Sequence, residues 1–145
     1  MTLKSRCALL LALLIIIACP RWAPADDDHA AAKAAAVQAA QDFLQLLDSG
    51  DYEQAWQQAA PILQTQITKE DWVTRIGNLR PLFGPLLQRS VGATRYHGEI
   101  PGGPDGDYVI ISIDSSFAHK KNAVETVTTM LGEDGNWQIA GYFIK

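Results

Sequence analysis

Beyond residue 25 the chain contains no cysteine, and the two it has, Cys7 and Cys19, both lie near the N-terminus. The remainder can therefore form no disulfide, no thiolate metal site and no cysteine nucleophile. Histidine is nearly as scarce, with His29, His97 and His119 as its three copies. No two of them have the i,i+4 spacing of a helical metal site, so neither a metal nor any other cofactor is expected. Basic residues are also few. Lys4, Arg6 and Arg21 take three of the 12, whereas all 16 acidic residues follow position 25, leaving 9 − 16 = −7 over residues 26–145. Such a surface disfavours nucleic acid and anionic lipid as partners, because phosphate contacts need clustered Lys and Arg.

The one long apolar run, Cys7 to Ala18, follows Lys4 and Arg6. It falls short of the ~20 residues of a membrane span and reads instead as the core of an export signal. Ala23-Pro24-Ala25 fits the small-x-small cleavage rule, which predicts a mature chain starting at Asp26 in the periplasm or outside the cell. Ile16-Ile17-Ala18-Cys19 also resembles a lipobox, which would make Cys19 a lipid-bearing first residue and the protein membrane-anchored. Pro20 directly after Cys19, and the Ala-Pro-Ala site downstream, favour cleavage between Ala25 and Asp26. Residues 26–145 are one ordinary domain, long enough to bury about two-thirds of its unfolded surface.

Three helices are expected. Ala30 to Leu47 is alanine-rich, and Val37, Ala40, Phe43, Leu44 and Leu47 form one apolar stripe before a capping Gly50. Tyr52 to Ala60 follows, ended or kinked by Pro61. Thr68-Lys69-Glu70-Asp71 opens the third, whose inward residues are Trp72, Ile76, Leu79 and Phe83. Strands come after. A polar strand from Leu87 to Glu99 bears Arg89 and Arg95 and suits a sheet edge. A turn over Pro101 to Gly106 then leads into a three-strand meander. Its first strand alternates Val109, Ile111, Ile113 and Phe117 with Ser112, Asp114 and Ser116. Helices first and strands after mean α+β, with three helices packed on a four-stranded antiparallel sheet. Asp134-Gly135 suits a tight final hairpin. With a two-residue turn there, Tyr142 and Ile144 fall on one face and Trp137, Ile139 and Phe143 on the other. Both faces would then be apolar, and a symmetric dimer through the outer sheet face would cover the second.

A family resemblance rests on Tyr52-x-x-x-Trp56-x-x-Ala59-Ala60-Pro61, Pro101 to Tyr108, Ser116-Phe117-Ala118, Ala123 to Thr128 and Gly141 to Lys145. In these the chain resembles bacterial envelope proteins grouped as domain of unknown function 4019. The resemblance implies a compact helix-plus-sheet domain of the cystatin or nuclear-transport-factor-2-like cone type. It implies no activity and transfers no catalytic residue.

Candidate chemistry is thin. Asp114 sits mid-strand, where a carboxylate is disfavoured. With Arg95 or His97 on the neighbouring strand beside it, it could act as an acid–base group in a cone. Ser112, Ser115 and Ser116 lack a nucleophile motif, Pro101 to Pro104 is no phosphate loop, and Asp105 with Asp107 is too little for calcium. Trp56, Trp72, Trp137 and Tyr142 are candidates to line a ligand pocket, or else simply core. The expectation is an exported binding or interaction module for a small molecule or an envelope protein. An enzyme using Asp114 is the alternative, and a lipid-anchored assembly factor is the third reading.

Overall fold

A computed structural model describes residues 29–145. The cleavage site at Ala25 and Asp26, and Cys19 with it, lie outside the described residues. Among the described residues four helices precede four strands: α1 (Ala30–Ser49), α2 (Tyr52–Gln57), α3 (Pro61–Gln66), α4 (Lys69–Phe83), β1 (Leu86–His97), β2 (Tyr108–Phe117), β3 (Ala123–Leu131) and β4 (Trp137–Ile144). The strands pair in sequence order as an antiparallel meander, so β1 and β4 are the edges. The class is α+β, as the order of elements required.

Expectation and structure part at the second helix. α2 stops at Gln57, short of the expected Ala60, and Pro61 instead starts a separate helix, α3, sitting at its first turn with Ala60 extended before it. That position suits proline, whose missing N–H would be unbonded there in any case. The caps at Gly50 and Thr68 follow the sequence, whereas Asp51 before α2 makes no side-chain cap bond. Gly50 closes α1 in the left-handed region at φ 84°, and the Thr68 hydroxyl accepts from the Asp71 N–H at the start of α4.

All four helices contribute to the interior on one face of the sheet. Ala36, Ala40, Phe43, Leu44 and Leu47 from α1, and Trp72 and Ile76 from α4, bury against Val109, Ile111, Ile113, Val127 and Ile139. A smaller apolar cluster of Phe117, Ala123 and Ile144 lies at the other end, flanked by Leu79 and Phe83.

The final hairpin departs from the two-residue turn. Leu131 pairs with Trp137 across a five-residue loop, 132–136, in which Gly135 takes φ 79° and the Asp134 carboxylate accepts from the Asn136 backbone and amide. Those bonds, the side-chain one foremost, hold the Asp134 carboxyl below its ordinary range. A bulge follows: Thr128 pairs with Gly141 but Thr129 pairs with Ile139, leaving Ala140 extra. The bulge turns Ile139 inward together with Tyr142 and Ile144 on the helix side. The open face of the hairpin is left with Thr126, Thr128 and a few isolated apolar residues. A second apolar sheet face, the ground for expecting a dimer, does not form.

Candidate functional site

Between the two apolar clusters lies a band of charge that the strand pattern already implies. Glu125 shares the phase of Ala123 and Val127 on β3, so its side chain enters the helix-covered face, where it is fully buried. Arg80 shares the phase of Trp72 and Ile76 on α4 and is likewise buried. Arg89 of β1 sits opposite Ser115 of β2 and points the same way. β1 is an edge strand as expected, but its Arg89 turns under the helices.

The six groups of the band come from six different elements. Arg89 donates to Glu125 Oε1 through Nε at 2.9 Å and Nη2 at 2.7 Å, and Ser115 Oγ donates to the same oxygen at 2.6 Å. Arg80 Nη1 donates to Glu125 Oε2 at 3.2 Å and the Tyr142 hydroxyl donates to it at 2.7 Å. Asp48, at the end of α1, closes the band by bridging both guanidinium groups. The Arg80 guanidinium also lies over the Phe117 ring, 4.9 Å from its centre.

Two guanidinium groups thus meet two carboxylates, and among the described residues no buried side-chain polar atom lacks a partner. Burial pulls the Arg89 guanidinium down, but the hydrogen bond to Asp48 and the charge of Glu125 outweigh it and leave it raised. Burial first, then the Glu125 charge and hydrogen bond, drive the Tyr142 hydroxyl far above the ordinary tyrosine range, against the pull of Arg80. A phenol held neutral and a carboxylate with every oxygen occupied are poor proton shuttles. The band is a tie between α1, α4 and all four strands.

A space open to a ligand lies beside the band. A groove of about 480 Å³ runs between α3, α4 and β4, walled by Leu63, Ile67, Trp72, Ile76 and Leu79, with Gln66 and Arg75 as polar groups. Its other wall is Ala140, Gly141, Tyr142, Phe143 and Ile144, five consecutive residues of β4. Successive strand residues face opposite ways, so only the flank of the strand can present all five. The Trp72 indole is fixed by donating to the Tyr52 carbonyl at 2.9 Å, and the Trp56 indole braces the wall by donating to the Ile67 carbonyl at 3.0 Å.

The residues singled out from the sequence are dispersed. Asp114 is exposed on the open face, paired with Ser90 and Val124, in a shallow hollow shared with Lys121 and Asn122. Arg95 and His97 pair with Ile110 and Tyr108, four and six residues along β2. At ~3.3 Å per residue they stand well beyond contact with Asp114. His29 stacks on Tyr96 at 3.6 Å, and His119 lies in the turn after β2. Among the described residues no cluster of three or more His, Cys, Asp or Glu is placed to hold a metal, and no helix is long and apolar enough to cross a membrane. Of the aromatic candidates, Trp72 and Tyr142 reach the groove, while Trp137 packs against the core at the far end of β4. Sequence reasoning missed Glu125, Arg80 and Asp48. Opposite charges on the buried phases of β3 and α4 were the available signal.

A solved structure from Catenulispora acidiphila is similar at 12% identity, covering 81% of this chain and 92% of that one with a TM-score of 0.55. At that identity the likeness concerns the fold alone. No curated protein matches the chain. Residues 39–142 match the family described as protein of unknown function DUF4019. That span runs from the third turn of α1 into β4 and includes every group of the charged band, and the chain belongs to this family.

Proposed function

We propose that the protein is an exported binding or interaction module whose receptor surface is the groove between α3, α4 and β4. One observation carries this reading: an apolar-walled groove of about 480 Å³, of the size and lining that suit a ligand, with Gln66 and Arg75 as its few polar anchors. The groups most able to do acid–base work are instead consumed in holding elements together. Export is supported by Lys4 and Arg6 ahead of the apolar run and by Ala23-Pro24-Ala25 after it.

Two measurements test the reading. Amide and methyl shifts of residues 26–145, titrated with small aliphatic and aromatic fragments, should change at Leu63, Ile67, Trp72, Ile76 and Leu79. Changes confined to the hollow beside Asp114 would overturn the assignment. The intact mass of the exported protein should correspond to a start at Asp26, and a diacylglycerol adduct on Cys19 would replace free export with membrane anchoring.

A further inference from the structure

The two sheet edges are protected very differently. β1 carries Arg95 and is broken by two shifts of register, both of which hinder pairing with a foreign strand. β4, Trp-Gln-Ile-Ala-Gly-Tyr-Phe-Ile, has no charge along its length. Its first half is covered, because the Ala60 N–H donates to the Ile139 carbonyl at 2.9 Å. Its second half is open. Val124 and Lys145 exchange both of their backbone hydrogen bonds, at 3.0 and 3.1 Å. In an antiparallel ladder such pairs alternate with pairs whose backbone groups face away. The N–H and C=O of Tyr142 and Ile144 therefore point outward, into the flank that walls the groove, and among the described residues no other backbone or side chain bonds them.

We propose that this flank takes an extended peptide as a fifth strand, one with apolar side chains at alternate positions and a carboxylate facing Arg75. The proposal rests on the groove being the receptor surface and names its occupant. The peptide backbone exchanges hydrogen bonds with Tyr142 and Ile144, and main-chain pairing of this kind supplies affinity while side-chain pockets supply specificity. Every second side chain of the added strand turns to the helix side, where Ile67, Ile76 and Leu79 form the apolar wall. Arg75 sets the charge of the ligand. It is exposed on the groove wall, enters no ion pair among the described residues, and stands in an otherwise acidic chain. Side chains on the other side of the added strand would run beside Phe143, a residue 61% exposed.

The test uses residues 26–145 and a synthetic panel of hexapeptides alternating Val, Ile, Leu or Phe with Thr and ending in Glu or in Lys. Binding of the Glu peptides should slow hydrogen exchange of the Tyr142 and Ile144 amides by at least tenfold. Arg75→Glu, an exposed substitution, should weaken the Glu peptides about tenfold and strengthen the Lys peptides. Equal binding of both series before and after Arg75→Glu overturns the proposal. So does a panel that leaves both amides unprotected at millimolar peptide. Fragment shifts at Trp72 and Ile76 without such protection would leave the groove a receptor and remove the strand. Protection that rises with protein concentration alone would mean a second copy fills the edge, and would equally overturn it.

Discussion

On one side of the charged band the interior is filled by α1, α4 and the middle of the sheet, with fifteen buried residues from Ala36 to Ile139 in mutual contact. On the other side, among the described residues, the buried apolar cluster is only Phe117, Ala123 and Ile144, with Leu79, Phe83, Leu86 and Tyr142 partly covering them. The large end can hold itself by apolar burial, at ~25 cal/mol for each Å² removed from water. The small end has too few buried side chains for that. What closes it is the band itself, since Arg80 and Glu125 lie between the clusters and Arg80 covers Phe117. The comparison teaches that the buried charges sit where apolar packing is thinnest, and that their value is positional.

The sharpest way to break the comparison is Glu125→Leu. It leaves Arg80 and Arg89 with Asp48 as their one remaining carboxylate, and breaking a buried pair from one side costs about 3–5 kcal/mol. Urea unfolding should show that loss, and a change below ~1 kcal/mol would mean the band is solvated. Ile111→Ala, wholly within the large end, should cost about 2–5 kcal/mol by cavity formation, read from the same curves.

Much of this architecture was legible in the residues. The stripe from Ala40 to Leu47, the Thr68 cap, Gly50 and the alternation from Val109 to Phe117 each fixed an element and its inward face. Two things were not legible, for physical reasons. The bulge at Ala140 leaves no pattern of its own, since Ile139 and Tyr142 can both face inward only once one residue is skipped. The ion pairs of the band join partners 32 to 45 residues apart, and local patterning carries no information on which distant charges meet. Arg80 interrupts an apolar phase on α4 and Glu125 interrupts one on β3. Each alone reads as a surface charge, and only the sheet register and helix placement show that they neutralise each other. The groove was half-visible: Trp72 and Tyr142 were candidates, but its open flank follows from the ladder, not from composition.

Smaller effects sharpen the contrast. Tyr142→Phe removes a hydrogen bond to a charged group and should cost about 1.5–3 kcal/mol near neutral pH. Its pH dependence has a definite sign. The folded hydroxyl is raised above the ordinary 10.0, so its contribution is full below pH 10.0 and is lost as pH rises beyond that value. The native protein should therefore lose stability above pH 10.0 more steeply than Tyr142→Phe, and parallel curves would place this phenol in water. Thr68→Ala, far from the band, should cost about 1 kcal/mol through the lost cap. Asp114→Asn, on the open face, should stay within about 0.5 kcal/mol.

The most direct measurement of the band as a charge-balanced tie is a double-mutant cycle on Arg80→Met and Glu125→Leu by urea unfolding. Removing one charge of each sign leaves Arg89 paired with Asp48, so the double variant should be more stable than Glu125→Leu alone, recovering at least ~1.5 kcal/mol. A double variant whose loss equals the two single losses added together would contradict the account.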